Sequence, residues 1–249
     1  MPEQTPKIIP FPQPSRAPAP PLRLEQLRLR MNGVPLLDGL DMTLTGRGIS
    51  AIVGPNGAGK SVLLRVIASL LSADAGHVDL PGAMRGRVGL VFQRPVLLRR
   101  SVRGNLGHAL RLARLPRSAR GARLAELLAL GRLVGLAERP ARRLSGGEAQ
   151  RLAIVRALAS DPALLLVDEP TAHLDPQSTL DVETLLTSIA ASGTKIVIVS
   201  HDIGQVGRLS EEVAFLHRGR CYEVTPTSEF LETAQSAEAR AYLDGAILL

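Results

Sequence analysis

One octapeptide restricts the folding of this chain more than any other stretch. "GPNGAGKS", residues 54–61, follows the short apolar run "ISAIVG" and precedes "SVLLRVIASLL". The first run is β-branched and reads as a buried strand; the second has apolar residues at Leu63, Val66, Ile67 and Leu70, a helical spacing. Strand, glycine loop and helix in that order form a phosphate-loop pattern. Gly54, Gly57 and Gly59 let backbone N–H groups approach phosphate oxygens, and the helix start adds positive potential. Lys60 supplies a point charge for β- and γ-phosphates, and the Ser61 hydroxyl can ligate Mg²⁺. Pro55, Asn56, Ala58 and the following Val62 complete the expected phosphate-binding surface.

The remaining pattern sets the fold class. Residues 22–46 alternate apolar and polar around an "NG" turn and predict antiparallel strands. Strands are expected at 87–93, 163–169 and 195–201, and helices at 61–71, 151–160 (amphipathic) and around 178–191. Strands alternating with helices predict an α/β fold with a mainly parallel core sheet, joined by an antiparallel β subdomain. Residues 94–143 hold thirteen arginines against two acids, Glu126 and Glu138, with leucine-rich helical periodicity. They read as an inserted helical subdomain.

Composition narrows the function classes. Only 2% of the residues are aromatic, too few for base-stacking platforms on single-stranded nucleic acid. A net charge of +7 invites a polyanion or membrane-surface reading, but the basic residues are almost all arginine, with lysine only at 7, 60 and 195. We read that bias as coding composition. A lone Cys221 fits a reducing compartment, and no apolar run is long enough to span a membrane. Residues 1–21 hold eight prolines and predict a disordered or polyproline-like tail.

Two further motifs carry chemistry. "LLLVDE" ends an apolar strand with two carboxylates, and adjacent strand residues point to opposite sides. Asp168 can therefore hold a metal through water while Glu169 acts as general base on an attacking water. Gln93 and His201 end two other predicted strands, which places both on the same carboxyl edge, where such sheets bind ligands. In "LSGGEAQR", Ser145 and Glu148 form a capping box that opens a helix. Gly146 and Gly147 weaken that helix start by roughly 1 kcal/mol each relative to alanine, so they point to a second surface for close approach to phosphate.

Taken together, "GPNGAGKS", "VFQ", "LSGGEAQR", "LLLVDEPTAHLD" and "VSHD" resemble the motifs of an ABC transporter ATP-binding subunit over about 22–249. The resemblance implies the P-loop NTPase fold of the ABC nucleotide-binding domain, with 94–158 as the helical subdomain bearing the signature. It implies ATP and Mg²⁺ as ligands, with Ser61, Gln93 and Asp168 on the metal, Glu169 as base and His201 as switch histidine. It also implies a head-to-tail homodimer in which Ser145, Gly146, Gly147, Glu148 and Asp175 act in trans on the partner's ATP. Met31 occupies the position where the family stacks an aromatic on adenine.

The same resemblance distinguishes subclasses. Fifty-two positions separate Gln93 from Ser145, room for a compact subdomain but not for the long coiled coil of chromosome-organising relatives. A single cassette without membrane helices resembles the separate energy subunit of an importer. That class works with two permease subunits and an extracytoplasmic solute-binding protein, peripherally on the cytoplasmic face of the membrane; no nucleic acid is expected as partner. "VFQRPVLLRRSV" and the ending "TPTSEFLETAQSAEARAYLDGAIL" are similar to tungstate importer ATPases, with molybdate, phosphate or a polar amino acid as other cargo expectations. An ATP-driven clamp on nucleic acid, using the arginine-rich segment, is the alternative from another class.

Overall fold

The computed structural model describes residues 20–246. Nearly all of the expected proline-rich tail, residues 1–19, lies outside the described residues.

The chain starts with an antiparallel hairpin, β1 (Leu22–Met31) and β2 (Val34–Leu44), turning at Asn32 and Gly33, both at positive φ. The alternating pattern gives one buried face and one solvated face. A third strand, β4 (Ala75–Asp79), pairs with β1 on the other side, so this sheet has the order β2-β1-β4.

The larger sheet has six strands. β3 (Ile49–Val53), β5 (Val88–Val91), β6 (Leu164–Asp168), β7 (Lys195–Val199) and β8 (Glu212–His217) are parallel, and β9 (Arg220–Pro226) closes the edge antiparallel to β8. The order is β5-β6-β7-β3-β8-β9. This matches the expected α/β class: a mainly parallel core joined to an antiparallel sheet.

The core strands are apolar throughout because both faces are covered. Ile49, Ala51, Val53, Leu165, Val167, Ile196 and Ile198 point into a core shared with the helices. The alternate residues Ile52, Leu164, Leu166, Val197 and Val199 point into a second core, with β1, β2 and α1 (Lys60–Ile67). Period-two alternation thus divides one continuous apolar run between two cores.

The helical layer holds α2 (Val102–Leu112), α3 (Arg117–Leu130), α4 (Gly146–Ala157) and α5 (Pro176–Ala191). Val102, Leu106 and Leu110 recur at helical spacing on the buried face of α2. The helices of segment 94–158 share one hydrophobic core with the large sheet. Two expectations need correction. The helix after the phosphate loop ends at Ile67 rather than Leu71, because Ser69 turns to φ 57°. Helix α4 is not amphipathic: Arg151 through Val155 are all buried, since it is wedged between neighbouring helices and the sheet.

After β7 come α6 (Ile203–Leu209), the β8–β9 hairpin, α7 (Thr227–Thr233) and α8 (Ala237–Leu243). None of these was expected from the sequence. Among the described residues, no helix is long and apolar enough to cross a membrane.

Candidate functional site: the carboxyl edge of the parallel sheet

The phosphate loop leaves β3 through Gly54 at φ 145°, where a Cβ would lie 1.9 Å from the Leu216 carbonyl oxygen. Only glycine fits that contact. Gly59, at φ 99°, precedes α1, and a Cβ there would come within 2.6 Å of the Leu36 carbonyl. Gly59 gives α1 no side-chain cap, so its first N–H groups remain available to an anion.

Lys60 is buried, and its Nζ donates to the carbonyls of Gly54 at 2.6 Å and Pro55 at 2.9 Å. Burial pushes its ammonium below the usual lysine range, while Glu169 and Asp168 pull the other way. Asp168, at the end of β6, is 7% exposed and accepts from the Ser61 hydroxyl at 3.1 Å. Burial raises its carboxyl above the ordinary range; the Ser61 bond opposes this and the neighbouring Glu169 charge adds to it. Such a carboxylate gains from a cation that replaces its lost water.

Glu169 follows the strand in the left-handed region, φ 41°, with its N–H bonded to Val199 O at 3.0 Å. That conformation is costly for a non-glycine residue. One carboxylate oxygen accepts from Gln93 Nε2 at 2.9 Å and lies 3.4 Å from His201 Nδ1. Gln93 and His201 sit just beyond β5 and β7 rather than on them. Three strand ends therefore meet on one carboxylate.

These groups border a cavity of about 710 Å³ lined by the whole phosphate loop with Val62, and by Leu36, Gln93, Glu169, Ala172, His173, His201 and Tyr242. Among the described residues, no cluster of three or more His, Cys, Asp or Glu side chains forms a metal site. The donors at hand are the Ser61 hydroxyl and the Gln93 amide on the cavity wall, with the Asp168 carboxylate, itself not part of the wall, bonded to Ser61. Hard oxygen ligands completed by phosphate and water suit Mg²⁺.

Not every expected site residue joins them. Met31, nearly half exposed at the end of β1, does not line the cavity. Leu36 of β2 does so instead, because the hairpin puts Met31 at its turn and Leu36 above Gly59. Ser145, Gly146, Gly147 and Glu148 lie at the start of α4, outside the cavity. The capping box is formed: Glu148 N–H donates to Ser145 Oγ at 3.3 Å and Ser145 N–H to Glu148 Oε2 at 2.7 Å. Gly147 also has an intramolecular reason to be glycine, since a Cβ there would meet Ser178 Oγ at 2.4 Å. Asp175 caps α5, accepting from Ser178 N–H at 2.9 Å, and is likewise absent from the cavity wall. Tyr242 was missed; nothing in its local pattern signals a place on the cavity wall.

Comparison with known proteins places these features in context. A family model described as ABC transporter matches residues 37–172. The methionine import ATP-binding protein MetN of Leifsonia xyli is 38% identical over 224 residues, covering 83% of this chain but 65% of that protein. The phosphate import ATP-binding protein PstB of Pyrobaculum aerophilum is 36% identical and is covered over 98% of its length, with 90% of this chain. Among solved structures, cbiO1 from Clostridium perfringens, part of the ABC transporter complex cbiONQ, superimposes with a TM-score of 0.77 at 29% identity, covering 86% of this chain and 91% of that one. A dimeric, post-hydrolysis ATP-binding cassette bound to ADP and Pi gives a TM-score of 0.72 at 27% identity, with 83% and 98% covered.

Proposed function

The chain belongs to the ABC transporter family, among its ATP-binding proteins, and we propose that it hydrolyses ATP as the energy subunit of an importer. The observation that carries this reading is the Glu169 carboxylate, held by Gln93 and His201 at the mouth of the phosphate-loop cavity.

In this reading the loop N–H groups and the start of α1 bind the phosphates. Lys60 turns from the Gly54 and Pro55 carbonyls to the β- and γ-phosphates. Ser61, Asp168 and Gln93 would hold Mg²⁺, which would supply neutralisation of phosphate charge. Glu169 takes a proton from the attacking water, and Gln93 and His201 orient that carboxylate. Ser145, Gly146, Gly147, Glu148 and Asp175 serve the ATP of a second copy; their position outside the chain's own cavity supports this, as does the dimeric state of one solved relative.

Phe92, Val96 and Leu98 flank Gln93 and leave apolar surface exposed, Val96 at 72%. We assign this surface to the permease, which keeps the protein peripheral on the cytoplasmic face. Closure of the dimer would then reach the membrane subunits through the same loop that supplies Gln93.

For the cargo we propose an oxyanion, with tungstate first, supported by the "VFQRPVLLRRSV" stretch. Relatives named for phosphate and for sulfate or thiosulfate support the oxyanion class, whereas those named for methionine and nickel support other cargo. The test is ATP hydrolysis by the subunit co-purified with its permease and solute-binding protein, with each solute added in turn. Stimulation by tungstate is expected; stimulation by methionine and not by any oxyanion overturns the cargo assignment. No hydrolysis under any condition overturns the whole reading.

A further inference from the structure

Glu169 and His201 sit in loops that leave neighbouring strands, β6 and β7. Backbone hydrogen bonding joins the two as far as Glu169 N–H to Val199 O. Beyond that point a side chain takes over. Gln205, on α6, is 1% exposed. Its Nε2 donates to Oγ1 of Thr171, two residues past Glu169, at 2.8 Å. Its Oε1 accepts from Oγ of Ser200, the residue before His201, at 2.9 Å.

The amide cannot turn over. Its second N–H donates at 3.2 Å to Oε1 of Glu183, a buried residue of α5 that Arg208 pairs through Nη2 at 2.6 Å and Nε at 3.0 Å. A carboxylate only accepts, so the amide nitrogen must face Glu183 and the amide oxygen must face Ser200. Ser200 Oγ accepts in turn from Asp202 N–H at 3.1 Å, and Asp202 caps α6 by accepting from Gln205 N–H at 3.0 Å. The turn bearing His201 is thus fixed on both sides. The His201 ring itself is largely exposed, so this backbone decides where Nδ1 stands, 3.4 Å from the Glu169 carboxylate.

We propose that Gln205 is a positioning residue for hydrolysis, its amide tying the His201 turn to the loop that carries Glu169 so that the histidine and the base keep their contact. This rests on the ATPase reading above. The competing role is structural alone, in which the amide steadies the core and any lost activity follows lost stability.

ATP hydrolysis by the full-length chain co-purified with its permease, set beside Mg-ADP binding and Tm, separates the two. Gln205→Met keeps the length of the side chain and removes its hydrogen bonds, while Arg208 still pairs Glu183. Its kcat should fall about 10- to 100-fold, the cost of misplacing a reacting group by about an ångström. The ADP Kd should not change, because Gln205 does not line the cavity. Thr171→Val cuts one arm alone and should lower kcat in the same direction. The double variant should fall no further than Gln205→Met, since both break one bridge. Val206→Ala, at a buried neighbour on α6, should lower Tm and leave kcat unchanged. A parental kcat in Gln205→Met, or an ADP Kd that rises with the loss, overturns the proposal. So do losses that multiply in the double variant, or an equal loss in Val206→Ala. If Gln205→Met does not fold, a parental kcat in Thr171→Val has the same force. If the parent chain hydrolyses no ATP, the ATPase reading fails and this inference falls with it.

Discussion

Gln93 and Glu169 are 76 residues apart in the chain, yet the amide nitrogen of one donates to the carboxylate of the other at 2.9 Å. The bond joins the ends of neighbouring parallel strands, β5 and β6, and so couples the loop leading to the exposed apolar surface with the proposed base. Glu169→Gln keeps the side-chain shape and removes the basicity. Phosphate release should fall at least about 100-fold, the scale of lost general-base catalysis, while Mg-ATP binding persists. Size-exclusion chromatography with ATP should show the variant held as a dimer; a monomer at saturating ATP would count against the shared-site mechanism.

Asp168 gives a test in the opposite direction. Its folded pKa lies above its unfolded one, chiefly through burial. The associated stability is complete below the ordinary carboxylate range and is lost as pH rises through the folded pKa. Once ionised, the buried Asp168 carboxylate is therefore an unfavourable charge in the nucleotide-free protein. Asp168→Asn should raise the Tm of the nucleotide-free chain, by roughly 2–4 °C for each kcal/mol recovered, and flatten its dependence on pH. The same variant should lose most of the extra stabilisation that Mg²⁺ adds to ATP. Thermal melts with ATP, with and without Mg²⁺, measure both effects.

At the other end of the sheet, Lys195 is fully buried and its Nζ donates to the Arg47 carbonyl at 2.7 Å and to Ser50 Oγ, with Glu212 at 3.5 Å. Burial alone would raise the Glu212 carboxyl, but hydrogen bonds from Ser50 and Thr45 and the Lys195 charge outweigh it and hold the group low. A lowered carboxylate contributes stability above its unfolded pKa and loses it as pH falls through the folded value. Glu212→Gln should therefore lessen the loss of stability on acidification. Lys195→Met leaves the carboxylate without its cation and should cost about 3–5 kcal/mol in denaturant unfolding, with no role in nucleotide contact to explain the loss.

The sequence made the centre of the site legible because its groups obey local rules. A β-branched run before a glycine loop marks β3, helical spacing marks α1, and a carboxylate pair at a strand end marks Asp168 and Glu169. Parallel strands then bring Gln93 and His201 to the same edge without further information. What remained hidden depends on distant packing. β4 is mostly exposed and carries no apolar alternation. The positive φ of Glu169 has no signature in "VDEP", and Tyr242 reaches the cavity wall only after α8 docks on Phe215. Leu36 rather than Met31 borders the cavity because Met31 ends β1 at the hairpin turn, while the Leu36 carbonyl comes up against Gly59.

The glycine pair that opens α4 shows how one residue can satisfy two constraints that a single substitution cannot separate. Gly147→Ala should destabilise the chain by about 1–3 kcal/mol through overpacking against Ser178, and would lose hydrolysis whatever the glycine's other duties. Adding Ser178→Gly removes both the Oγ at 2.4 Å and the Cβ at 2.6 Å, leaving only the Cα at 3.5 Å, an ordinary contact. Ser178→Ala would not suffice, since the Cβ would remain. The Gly147→Ala, Ser178→Gly pair should thus recover most of the lost stability in urea unfolding. If Gly147 must also approach the partner's ATP, hydrolysis stays more than about 10-fold depressed in the stable double variant, as expected for loss of an electrostatic contact to the reacting phosphate. Recovery of full turnover would confine Gly147 to the α4–α5 contact and remove it from the shared nucleotide site.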